Sequence, residues 1–212
     1  MIKNKKIAFV AAHFDDLEIA CGGTIAKLNK NNDINIFIIC DSEFKDINNK
    51  IIRNKKTALR EGLSGLKALG IENKITILNI KTFDIQKNEK KISKQLIKHN
   101  KKINFDIIFT HWREDVHPDH RNLNLICNSV FKNTKSFIEF SSNYFNDEFK
   151  SNIYFEINSS FEKKIESIKE HKSEMKRTKY KWIEYFKNQC KNDGIRFDEG
   201  FIERFYARRF FI

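Results

Sequence analysis

The chain has 212 residues, of which 40% are hydrophobic and 32% charged, a balance that fits a globular protein with a core of ordinary domain size. No run approaches the ~18 apolar residues that span a bilayer, which excludes a transmembrane segment of that kind. Forty Lys and Arg against 28 Asp and Glu give a net charge of +12, but the lysines are spread along the chain, so the charge favours anionic partners without marking a nucleic-acid motif.

In chain order, residues 1–12 carry basic side chains and then a small apolar run, as a leader would. The run is short and breaks at once into His13, Asp15 and Asp16, so a cytoplasmic protein is expected. Residues 7–12 and 34–40 are apolar runs that read as buried strands. Between them a helical pattern over residues 17–28 is entered through Gly22, Gly23 and Thr24; the backbone N–H groups of Gly22 and Gly23 could meet an anion, or the glycines could simply allow tight packing. An amphipathic helix is predicted over residues 51–69, stopped by Gly70. A strand over 75–80, a lysine-rich helix over 89–99, a strand over 105–110 and a helix over 123–131 follow. Beyond residue 136, two strands (137–140 and 153–157) precede one long charged helix over residues 160–190. Residues 200–211 read as a strand or helix that closes the site. The cysteines at 21, 40, 127 and 190 show no C-x-x-C spacing and read as buried free thiols in a reducing compartment.

Strands alternating with helices imply parallel crossovers, hence an α/β doubly wound, mainly parallel sheet flanked by helices, in one domain over residues 1–212. Ligands of such sheets bind at the carboxyl ends of the strands. Two acidic-histidine clusters follow strands directly: Ala12-His13-Phe14-Asp15-Asp16, and His117-Pro118-Asp119-His120, which holds the only proline. Topology therefore brings them to one edge although about a hundred residues separate them.

Together the clusters offer the nitrogen and carboxylate ligands of a catalytic zinc, which needs about three protein ligands and an open position. His13 and Asp16, three residues apart, can converge from one turn, and His120 can complete the set. Asp15 then lies beside the metal, able to take a proton from water that the metal acidifies. His117 can stabilise an oxyanion or protonate a leaving amine, and Asp119 can hydrogen-bond a histidine and fix its tautomer. Taken singly, these residues have ordinary readings as solvated aspartates, helix caps or surface histidines. Their joint occurrence at two strand ends favours a site.

Ala12-His13-Phe14-Asp15-Asp16 followed by Gly22-Gly23-Thr24 resembles the A-H-P-D-D…G-G-T motif of the PIG-L/LmbE-like N-acylglucosamine deacetylases. Thr110-His111-Trp112 through Asp115-x-His117-Pro118-Asp119-His120-Arg121 resembles their second motif, T-H…D-x-H-P-D-H-R. Weaker likenesses are the Leu69-Gly70 helix end and His171-Lys172-Ser173-Glu174, where the family usually ends in Gln. The resemblance implies a Rossmann-like fold, a divalent metal that is usually zinc, and removal of N-acyl groups from amino sugars that are free or carrier-linked. By its match to the motifs, it implies His13, Asp16 and His120 as metal ligands, Asp15 as base and His117 as the residue serving the tetrahedral intermediate. The chain departs from the motif at Phe14, which stands where the family has proline and gives up the fixed φ of that turn.

Around these residues, Phe14, Asp41, Trp112 and Asp115 are candidate substrate contacts, although a ring at Phe14 more commonly packs into the core, Asp41 equally fits a polar loop and Trp112 equally fits the core. Arg53 and Arg60 could meet a phosphate, although surface arginines are the commoner case, and His171 could reach the pocket from its helix. The resulting expectation is a zinc-dependent hydrolase that removes N-acetyl from an amino sugar, free, nucleotide-linked or phosphorylated, with another divalent metal able to serve. The competing readings are a deformylase or other amidase, a silent binding protein of the same fold for which Phe14 is the cue, and, on charge alone, a nucleic-acid binder.

Overall fold

The computed structural model describes residues 2–211. In chain order, β1 (Lys6–Ala11), α1 (Asp16–Leu28) and β2 (Asp33–Cys40) lead to a short hairpin, β3 (Phe44–Lys45) and β4 (Ile51–Arg53). Then come α2 (Lys55–Ala68), β5 (Ile75–Ile80), α3 (Glu89–Ile103), β6 (Ile107–His111), α4 (Pro118–Val130) and β7 (Ser136–Phe140). The remainder forms β8 (Ile153–Glu156), the helices α5 (Phe161–Lys169), α6 (Lys172–Arg177) and α7 (Lys181–Ile195), and β9 (Ile202–Arg209).

One sheet runs in the order β5-β2-β1-β6-β7-β9-β8. Its first five strands are parallel, and β9 lies antiparallel between β7 and β8. The central strand β1 explains the layering. Ile7, Phe9 and Ala11 enter the core on one face, with Leu17 and Leu66, while Ala8, Val10 and Ala12 enter it on the other, with Leu96 and Leu123. A strand apolar on both sides needs helices over both faces.

From β1 the chain moves outward through β2 to β5, then crosses to the far side of β1 to lay down β6 and β7. The strand order therefore reverses between β1 and β6, and the crevice beyond their carboxyl ends is the natural ligand position. The register pairs Val10 with Thr110, so the segments after β1 and β6 leave the sheet side by side.

Three sequence expectations change. Residues 51–53 form the second strand of the hairpin, and α2 starts only after Asn54, whose side chain caps it by accepting the Thr57 N–H at 2.8 Å. The long helix over 160–190 is three helices. The first stops at Lys169, His171 turns inward, and Lys179 and Tyr180, at φ of 51° and 62°, separate α6 from α7. The C-terminal segment does not close the site but enters the sheet as β9. There Glu203 accepts the Gly23 and Thr24 N–H groups at 3.0 and 2.7 Å and pairs with Lys164 at 2.6 Å. The Gly23 N–H, one of the two that could have met a ligand anion, thus holds a carboxylate of the chain itself. Gly23 is also closely packed, since a Cβ there would lie 2.6 Å from Ile157.

No helix among the described residues is long and apolar enough to cross a membrane. Cys21, Cys40, Cys127 and Cys190 are buried and unpaired.

Candidate active site

His13 and Asp16 sit in the turn from β1 into α1, and His120 lies in the first turn of α4, just beyond Pro118 at the helix start. Their donor atoms converge. His13 Nδ1 is 3.4 Å from Asp16 Oδ2 and 3.3 Å from His120 Nε2, and His120 Nε2 is 3.3 Å from Asp16 Oδ1. Tetrahedral zinc with ligand bonds of ~2.0–2.2 Å sets its donor atoms ~3.3–3.6 Å apart, and these pairwise separations are of that size, with Asp16 turning a different oxygen to each histidine. Three groups of side chains each bring one donor atom apiece to a common point that could hold an ion: His13, His117 and His120; Asp16, His111 and His120; and His13, Cys40 and Asp119.

Charge is arranged to suit a cation. Burial alone would lower the His120 pKa, but Asp16 and Asp115 outweigh it and raise it to about 9. Burial likewise opposes protonation of His13, yet Asp119 and Asp16 hold its pKa well above the ordinary value. Burial would raise the Asp16 pKa, but His120 and His111 hold it well below the usual carboxylate range. The backbone N–H of His13 and the Ser142 hydroxyl both donate to Asp16 at 2.8 Å, so each carboxylate oxygen is fixed.

A ring of supporting contacts orients these side chains. Asp119 Oδ2 lies 3.1 Å from His13 Nε2 and accepts the Phe83 N–H at 2.8 Å, with the Cys40 thiol donating to it at 3.8 Å. Carboxylate on the far nitrogen is the usual way to fix a ligand histidine's tautomer. Asp115 Oδ2 lies 3.1 Å from His120 Nδ1, off the hydrogen-bond direction, while its Oδ1 accepts the His117 N–H at 2.8 Å. His111 Nε2 accepts the Ala12 N–H at 2.9 Å, stacks on His120 at 3.7 Å, and is held to a pKa of about 4 by burial and the nearby His120 charge.

Asp15 occupies the N-cap position of α1 at φ 104°, a strained value for a non-glycine residue, and its side chain does not cap the helix. It meets Arg53 instead, Oδ2 to Nη1 at 2.9 Å. Arg53 also reaches His171 Nδ1 at 3.0 Å, and His171 Nε2 meets Glu18 Oε1 at 3.1 Å. All four side chains are buried. Burial raises the Asp15 pKa to about 6, with Arg53 opposing and Asp16 adding to the shift. His117 accepts the Asp119 N–H on Nδ1 at 3.1 Å, an N-cap bond that assigns its proton to Nε2. Burial and the His13 and His120 charges lower its pKa to about 3, which keeps the ring neutral.

These groups open onto a cleft of about 300 Å³ lined by His13, Asp15, Asp16, His117, His120 and Arg53, with Phe44, Phe83, Tyr144 and Trp182 among its other walls. The four residues expected to touch substrate lie elsewhere. The Phe14 ring is in the core against α2, where Gly62 makes room for it; a Cβ at residue 62 would come within 2.0 Å of the ring. The Phe14 N–H, which a proline would lack, donates to Ser42 Oγ at 2.8 Å. Asp41 lies beneath the wall, bonded to Lys55 and Thr82, while its neighbours Ser42 and Glu43 face the cleft. Trp112 is buried, packs on Phe149 and borders a different cleft. Asp115 is fully buried and supports His117 and His120.

Sequence reasoning weighed Arg53 as a phosphate contact or, more commonly, a surface residue, and did not single out Ser142, Glu18 or the cleft position of Glu174. None of these follows a strand in a motif, and only the fold carries them to the site.

The family model described as PIG-L: GlcNAc-PI de-N-acetylase matches residues 8–131. A search of curated proteins finds no significant match. Among solved structures, the conserved protein TT1542 from Thermus thermophilus superposes with a TM-score of 0.80 at 15% identity, covering 98% of this chain and 97% of that one. N,N'-diacetylchitobiose deacetylase from Pyrococcus horikoshii gives 0.76 at 20% identity, covering 96% and 83%. GalB, the 4-carboxy-2-hydroxymuconate hydratase from Pseudomonas putida, gives 0.79 at 13% identity, covering 98% of each. At these identities the likenesses establish the fold, and that fold carries more than one chemistry. With both clusters inside the matched span and converging at the switch point of the sheet, the chain belongs to the PIG-L family.

Proposed function

We infer that the protein is a metal-dependent hydrolase that removes the acetyl group from an N-acetylated amino sugar. The observation that carries this reading is the convergence of His13, Asp16 and His120 at 3.3–3.4 Å on one wall of a cleft that also holds Asp15 and His117. The family description and the diacetylchitobiose deacetylase neighbour support the same chemistry.

His13, Asp16 and His120 would hold the divalent ion, zinc or another. When bound, that ion supplies a Lewis acid that polarises the amide carbonyl and acidifies water. Asp15, fixed by Arg53, accepts the proton of the attacking water and returns it to the nitrogen as the C–N bond breaks. His117 Nε2–H donates to the carbonyl oxygen as negative charge develops there, a role open to a neutral imidazole. Acetate and a free amine leave.

Acyl-group release from matched N-formyl, N-acetyl and N-butyryl glucosamines tests the reading. Acetyl should turn over fastest. A formyl preference of a hundredfold would replace it with a deformylase, and failure of all three with metal bound would remove the amino-sugar assignment.

A further inference from the structure

The cleft does not share the positive character of the chain. Among the described residues, none of those lining it is a lysine, although the chain has 40 Lys and Arg. Both arginines on its walls are engaged. Arg53 pairs with Asp15, and Arg177 grips Glu174 Oε2, with Nε at 2.7 Å. Glu43, on the same wall, is met by Lys45 at 3.4 Å. A phosphate entering here would find no uncommitted guanidinium or ammonium group and would lie among carboxylates.

The wall offers aromatic surface instead. The Arg177 guanidinium lies 4.9 Å from the Phe44 ring centroid and 5.5 Å from that of Trp182, so β3, α6 and α7 meet at one place. Trp182 is anchored on the apolar cluster of Ile19, Ile168, Met175 and Phe186, while Phe44 is 39% exposed, leaving aromatic surface open beside the cleft. Glu174 is buried, lines the cleft, and is fixed by Arg177. Aromatic faces beside a fixed carboxylate suit a neutral ring that presents C–H or π surface to the aromatics and hydroxyl hydrogens to the acid.

Resting on the deacetylase reading, we propose that Phe44, Arg177, Trp182 and Glu174 form the subsite for the group attached to the amino sugar, and that it takes an uncharged ring rather than a nucleotide or other phosphate carrier. A second sugar ring and an aryl group share this chemistry.

The test uses full-length protein loaded with one equivalent of zinc. It is titrated with N-acetylglucosamine, N,N'-diacetylchitobiose, phenyl N-acetyl-β-glucosaminide and UDP-N-acetylglucosamine. Indole emission reports binding, since Trp182 lines the cleft and Trp112 does not, and acetate is measured on the same panel. The two neutral-ring compounds should bind about tenfold tighter than the free sugar, with the better of them naming the carrier, and UDP-N-acetylglucosamine should gain nothing over the free sugar. Phe44→Ala should collapse the neutral-ring advantage and Phe44→Tyr should keep it. The exposed position of Phe44 makes both variants mild for folding. Tightest binding by the UDP sugar, an advantage that survives Phe44→Ala, or no binding by any compound overturns the subsite. Ring-dependent binding without acetate from any compound would contradict the deacetylase reading and leave the subsite standing; acetate release with no ring preference would do the reverse.

Discussion

Arg53 Nη1 lies 2.9 Å from Asp15 Oδ2, and the same guanidinium reaches His171, so the residue assigned as base is tied through one arginine to the start of α6. Arg53 also lies 3.7 Å from Glu61, which accepts the Ser173 N–H at 3.0 Å. The hairpin that delivers Arg53 is therefore part of the site. Removing the guanidinium by Arg53→Ala leaves Asp15 and Glu61 buried without their cation. A loss of about 3–5 kcal/mol is expected in urea unfolding. Arg53→Lys should recover part of that stability yet still release acetate slowly, because an ammonium cannot hold Asp15 and His171 in one plane. Arg53→Ala protein that unfolds at the wild-type urea midpoint would show that the pair anchors nothing.

Asp15→Asn keeps the shape of the side chain and removes its capacity to take a proton. Acetate release should fall by about 10²–10⁴-fold while metal content stays at the wild-type level. Unchanged turnover with metal bound would move the base elsewhere.

Asp119 meets the back of His13 at 3.1 Å and is not one of the three assigned ligands. Asp119→Ala should weaken metal affinity by about 10–100-fold in a chelator competition, the usual cost of losing such a partner. Wild-type affinity in this variant would mean that His13 needs no orienting group.

Asp41 gives a pH-dependent signature of folding away from the metal ligands. Burial alone would raise its carboxyl, but the Lys55 hydrogen bond at 2.7 Å and the Glu43 and Thr82 N–H groups hold it below the usual carboxylate range. A pKa lowered by folding adds stability above the unfolded value of ~3.9, and that contribution fades as pH falls through the folded value. Asp41→Asn should therefore be less stable than wild type at neutral pH, with the gap closing below about pH 4. A gap independent of pH would remove Asp41 from the acid response.

The alternation of short apolar runs with helical patterns made the parallel sheet legible, because β1, β2 and β6 are buried on both faces and so read as mostly hydrophobic segments. The convergence of His13 with His120 followed from the same pattern, since residues after parallel strands share an edge. The surrounding wall was not legible. Arg53 follows two isoleucines in a short hairpin that helical periodicity absorbed, and His171 lies in a break that a charged run conceals. Phe14 could be read from the motif either as a core ring or as a substrate contact, and its neighbour Gly62, distant in sequence, lets the ring pack into the core. These positions are set by contacts between segments, which local spacing does not encode.

The central claim is that His13, Asp16 and His120 hold the metal on which amide hydrolysis depends. Metal content and acetate release, measured together on wild type and on His120→Ala after equal zinc loading, test it most directly. About one zinc per wild-type chain with acetate release from an N-acetylated amino sugar, and loss of both in His120→Ala, is the predicted result. A wild-type chain that binds no zinc, or a His120→Ala protein that keeps both metal and turnover, would contradict it.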